Sequence, residues 1–138
     1  MALAELSTTT TAENGAPIEI YHPKTNLPMG ITIVVCGTDS ETYKKIQRKQ
    51  LNRRMERSAR NRNRQLQLTA EELEAESLDV LVACTKSWSE NGSPTIEFNP
   101  GELLPCTPEN VRRLYEEYPW MKDQIDQAIG DRANFLQG

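Results

Sequence analysis

Apolar and polar residues alternate over Ile18-Glu19-Ile20-Tyr21-His22, and this twofold period with β-branched residues predicts a short strand. Ile31 to Cys36 is an almost continuous β-branched run and predicts a second strand. Pro23, Asn26 and Pro28 lie between them, so the pair reads as a hairpin with a loop of roughly six residues, closed by Gly37. Two strands are marginal alone in water, so this hairpin must pack on helices or extend a sheet in another subunit.

The period then lengthens. Tyr43, Ile46, Leu51, Met55 and Ala59 form a narrow helical stripe in a stretch free of Gly and Pro, which predicts a helix over 38–65 with one thin buried seam. Thr38 and Glu41 have capping-box spacing at its start, while Asn61 and Asn63 predict fraying beyond about Arg60. Thr69 and Glu72 repeat the capping box before a second helix, whose apolar set is Leu73, Leu78, Val80, Leu81, Val82, Cys84 and Trp88. Asn91-Gly92-Ser93-Pro94 is a turn, and Thr95 to Phe98 reads as a strand or extended segment. Thr107 before Pro108 starts another helix with Val111, Leu114, Tyr115 and Tyr118 on its buried face. Pro119 breaks or restarts it, and a last helix carries Met121, Ile125, Ala128, Ile129, Phe135 and Leu136, interrupted or bent near Gly130-Asp131.

The expected fold is therefore α+β and mostly helical, an N-terminal hairpin packed on about four helices of which one is long and basic. Residues 1–16 hold the run Thr8 to Thr11 and little that packs, so a flexible arm is expected there, with one domain over 17–138 (hairpin 17–37, basic helix 38–65, helical part 69–138).

Charge sharpens this picture. Between Lys44 and Arg64 ten of 21 residues are Lys or Arg against the single acid Glu56, a segment charge of +9. The other 117 positions hold 6 basic and 19 acidic residues, or −13. The helix after Thr69 carries Glu71, Glu72, Glu74, Glu76 and Asp79, where acids also suit the helix dipole. A basic helix could bind phosphate, or it could be answered by acidic helices in the same chain or a neighbouring subunit. Two features weigh against nucleic acid: the chain is acidic overall, with a pI near 5.1, and Tyr43 is the only aromatic in reach of the basic stretch to stack a base. The candidate interaction surface is thus Lys44, Lys45, Arg48, Arg53, Arg54, Arg57 and Arg60 on one side and Glu71, Glu72 and Asp79 on the other. Segregated charge of this kind favours a homo-oligomer with basic face on acidic face.

Catalytic chemistry finds little footing. The chain contains no G-x-x-x-x-G-K-[ST], G-x-G-x-x-G or G-x-S-x-G, and its one histidine, His22, sits in the hairpin turn with no second ligand nearby. No catalytic residue, cofactor or metal is expected. Cys36, Cys84 and Cys106 are an odd number without C-x-x-C spacing, which reads as reduced, mostly buried thiols. With no apolar run long enough to span a bilayer and no secretory signal, a cytoplasmic protein without membrane contact is expected.

Several stretches carry a resemblance in their order: Cys36-Gly37-Thr38-Asp39-Ser40 before Tyr43, Leu81 to Trp88, Ile96-Glu97-Phe98, Cys106 to Val111, Leu114-Tyr115, Tyr118-Pro119-Trp120-Met121, Gln124-Ile125 and Asn134-Phe135-Leu136. In this combination, covering about 17–137, the chain resembles the tail assembly chaperones of long-tailed (siphovirus-type) bacteriophages. The resemblance implies a non-enzymatic helper in the host bacterial cytoplasm, absent from the mature virion. Such a helper coats the tape measure protein and recruits tail tube (major tail) subunits while the tube grows. The family transfers no catalytic residue. The alternative is a small nucleic-acid-binding regulator using the basic helix 44–64.

Overall fold

The structure is a computed structural model and describes residues 2–60 and 69–136. It is α+β: strands β1 (Ala16–Tyr21) and β2 (Pro28–Val35) form the expected antiparallel hairpin, with Ile18 opposite Ile33. The loop between them is held by His22, whose Nδ1 accepts from the backbone N–H groups of Lys24 (3.1 Å) and Thr25 (3.3 Å), and by Asn26 at φ 58°. A histidine in a turn does here what Asn or Asp usually does, mimicking a backbone acceptor.

The long helix α2 (Glu41–Arg60) follows, then α3 (Ala70–Cys84). The fraying expected beyond Arg60 lies outside the described residues. Two expectations about α2 are corrected. Its cap is Ser40 rather than Thr38: the Ser40 hydroxyl accepts from the Tyr43 N–H (3.0 Å) and donates to the Gly37 carbonyl (2.6 Å). Its buried seam is also different. Tyr43 is half-buried but Leu51 and Met55 stand 54% and 61% exposed, and the buried position of the helix is Gln50. Gln50 lies seven residues past Tyr43, two turns along the same face, and its amide finds a partner in α3 that an apolar count ignores.

The second capping signal holds: Thr69 Oγ1 accepts from the Glu72 N–H at 3.1 Å. The helix it starts ends four residues short of Trp88. Thr85–Glu90 is instead a strand, β3, antiparallel to β2 with Trp88 opposite Ile33, so the sheet has the order β1-β2-β3. The hairpin thus finds its third strand within its own chain. The free edge of β2 supplies ladder bonds that a continued helix could not use, and Trp88 Nε1 donates to the Leu104 carbonyl at 3.1 Å. A second sheet pairs β4 (Thr95–Glu97) with β5 (Leu103–Pro105).

Helices α4 (Pro108–Glu117) and α5 (Pro119–Gly130) complete the fold. Thr107 caps α4, accepting from the Asn110 N–H, and Pro108 and Pro119 open their helices at positions where no N–H is needed. Arg132–Phe135 is a 3-10 turn capped by Asp131. One sheet face, with Ile20, Ile31, Ile33, Val35 and Trp88, packs on Leu81, Val111, Leu114, Tyr115, Met121, Ile125 and Ile129 from the helices. Glu19, Thr32, Val34, Ser87 and Ser89 lie on the other, wetter face. The outer edge of β1 is closed at Tyr21 by the Gln124 amide, which accepts from its N–H (2.9 Å) and donates to its carbonyl (2.8 Å).

The N-terminal arm departs from expectation. Thr9–Asn14 is a short helix, α1, whose Ala12 is buried and whose Glu13 reaches the start of α2. Four consecutive threonines hide the one residue that packs.

Candidate functional site

The basic helix projects. At 1.5 Å per residue α2 is about 30 Å long, and its whole second half, Leu51 to Arg60, is exposed. The first turns of α3 run back alongside it, so the two form an antiparallel arm on the body. The arm is joined by polar contacts. Gln50 Nε2 donates to the Glu76 carbonyl at 2.9 Å, Arg54 pairs with the Glu76 carboxylate, and Arg57 pairs with Glu72 at 3.1 Å. Helix-on-helix contact this polar is weakly stabilising, since exposed ion pairs contribute about 0–1 kcal/mol each.

Among the predicted surface residues, Arg57 and Glu72 are brought together, and Arg54 meets Glu76, an acid outside the predicted set. Arg48 turns back to Glu41 of its own helix at 3.2 Å. Asp79 pairs with Arg112 of α4 at 2.5 Å, not with the basic helix. Glu71 lines a cleft on the other side of α3 with Glu74, Glu116 and Lys122. Lys44, Lys45, Arg53 and Arg60 have no carboxylate partner among the described residues. The in-chain answer to the basic helix is therefore real but partial.

A second surface was missed from the sequence. Between β2, β4 and α5 runs a groove of about 180 Å³ lined by Met29, Ile31, Ile96, Phe98, Leu114, Tyr118, Trp120 and Met121, with Glu90 and Glu97 the charged residues that line it among those described. Its aromatics stack edge-on, Phe98 to Tyr118 (6.3 Å) and Tyr118 to Trp120 (6.2 Å), and Phe98 is tilted against the buried Trp88 behind it (6.1 Å). Arg113 stacks over Phe98 at 5.0 Å while donating to Glu102 and Glu117, which fixes the ring. The signal for this groove was the aromatic spacing around Pro119, but only the fold brings Met29 and Phe98 beside it.

Compared with protein-family models, curated proteins and solved structures, the chain matches none. Burial pushes the Cys84 thiol up to about 12 and raises Cys36 and Cys106 as well, so these sulfurs stay protonated and unreactive at neutral pH. Burial also raises the Tyr115 phenol, whose hydroxyl bonds the Thr85 hydroxyl at 2.6 Å. Among the described residues no group of three or more His, Cys, Asp or Glu could hold a metal ion, and no helix is long and apolar enough to cross a membrane.

Proposed function

We propose that this chain is a non-enzymatic assembly chaperone of the phage-tail type, acting in the host bacterial cytoplasm and absent from the mature virion. In this reading it coats a tape measure protein, self-associates on it and recruits tail tube subunits. One observation carries the reading: three of the stretches on which the resemblance rests, 36–40, 81–88 and 134–136, meet at one junction beside the end of α5. The Cys36 N–H donates to the Cys84 carbonyl at 2.8 Å, the Thr38 N–H to the Ile129 carbonyl at 3.3 Å, and the Phe135 ring packs on Gly37. This junction seats the root of the charged arm on the sheet. A projecting charged arm and a separate Met- and aromatic-lined groove give one small protein two surfaces, as a helper joining unlike partners requires.

Co-expression with the tape measure protein encoded by the same genome tests the proposal. The expected result is a soluble client that co-purifies with many copies of the chain. A client that stays insoluble, or is soluble without it, overturns the reading.

Lys44, Lys45, Arg53 and Arg60, unpaired among the described residues, favour a second reading, a nucleic-acid-binding regulator. Fluorescence anisotropy with duplex DNA and RNA decides between them. Sub-micromolar binding at about 150 mM salt with a steep salt slope supports the regulator, and weak binding confined to low salt supports the chaperone.

A further inference from the structure

We propose that the aromatic groove receives one flank of helix α2 from a second copy of this chain, in a head-to-tail contact. Lys44, Arg48, Leu51 and Met55 fall at helical spacings of four, three and four, so they form one continuous face about 16 Å long. Among the described residues this face meets no other element, its one ion pair being Arg48 with Glu41 of the same helix, while α2 meets α3 through Gln50, Arg54 and Arg57. Its apolar half, Leu51 and Met55, is more than half exposed, although these are side chains a stable helix normally buries.

The groove complements it in both respects. Trp120, Tyr118, Phe98 and Met29 are the residue types that anchor interfaces, and they open a trough for apolar side chains one turn apart. Glu90 and Glu97, the charges that line it among the described residues, fit the Lys44 and Arg48 end of the helix and oppose an acidic partner. Since α2 and the groove are different surfaces, each copy offers one of each, and the contact repeats as a ring or a filament.

Self-association belongs to the function proposed above, but the test uses the chain alone, so failure of the groove and failure of client binding appear in separate experiments. Sedimentation of the full chain should show mass rising with concentration. The helix variant Leu51→Glu/Met55→Glu and the groove variant Glu97→Lys/Trp120→Ala should each associate at least about tenfold more weakly, as loss of central interface anchors does. Leu51, Met55 and Glu97 are exposed, so folding should survive, and circular dichroism checks it. If Trp120→Ala loosens the fold, Glu97→Lys alone serves as the groove variant. Mixed together, the two variants should form a dimer and go no further, because one copy keeps an intact helix face and the other an intact groove. Variants that associate like wild type, or a mixture that stays monomeric, overturn the proposal. So does a monomeric wild-type chain whose groove variant instead loses the co-purified tape measure protein, which gives the groove to the client.

Discussion

Glu13 caps helix α2 from outside it: its carboxylate accepts from both the backbone N–H of Thr42 (3.0 Å) and the Thr42 hydroxyl (2.7 Å), 29 residues along the chain. These bonds hold the Glu13 carboxyl below its ordinary range. A carboxylate at this end also meets the positive pole of the helix. With Ser40 capping Tyr43, two of the unpaired N–H groups at the helix start are satisfied.

The N-terminal segment is therefore expected to contribute to stability rather than to be dispensable. Glu13→Ala should cost about 1 kcal/mol, as loss of a helix cap does, and lower the melting temperature by about 4 °C. Deleting residues 2–15, which also removes buried Ala12, should lower it further. A truncated chain melting with wild type would show that α1 does not hold α2.

A side chain at Gly37 would crowd the core. A Cβ there would lie 2.8 Å from two carbons of the Phe135 ring, which is itself buried, so the ring would have to shift. Gly37→Ala should destabilise by about 1–3 kcal/mol, the usual range for overpacking. The double change with Phe135→Leu should recover part of that loss in a urea titration, since the clash is with the ring.

Acid should weaken a clasp between the two ends of the chain. Arg132 donates twice to the Asp39 carboxylate, at 2.8 and 2.9 Å, and Thr8 donates to it as well. These donors, Arg132 first, lower the Asp39 carboxyl from 3.8 to about 2. A folded-state value below the unfolded one means that the stabilisation is present above about pH 4 and lost as pH falls toward 2. Arg132→Ala should thus melt below wild type at neutral pH, with the gap closing through that window. A gap that stays constant into acid would contradict the assignment.

Reversing the arm's own ion pairs should open it. Single alanines at Arg54 or Arg57 should cost less than about 1 kcal/mol each. Arg54→Glu with Arg57→Glu, by contrast, sets two new acids against Glu76 and Glu72. Hydrogen exchange should then quicken over 51–60 and 70–76 while the sheet stays protected. Adding Glu72→Arg and Glu76→Arg should restore protection; exchange unchanged in all variants would mean that Gln50 alone holds the helices together.

The sequence by itself determined the α+β class, the β1-β2 hairpin, three of the helix starts and the segregation of charge. Thr69, Thr107-Pro108 and Pro119 each act within one turn of the backbone they govern, and local rules suffice for them. Tertiary structure decided the rest because partners distant in sequence did the deciding. Thr85–Glu90 became a strand because β2 had a free edge; Gln50 replaced Leu51 and Met55 on the buried side because its amide could reach the Glu76 carbonyl. Ala12 and Glu13 left the expected flexible arm because the core and the start of α2 were there to receive them. The groove needed β2, β4, α4 and α5 assembled before Met29, Phe98 and Trp120 could share a surface. Periodicity reports which way a side chain points along its own element, and not which distant group will be waiting for it.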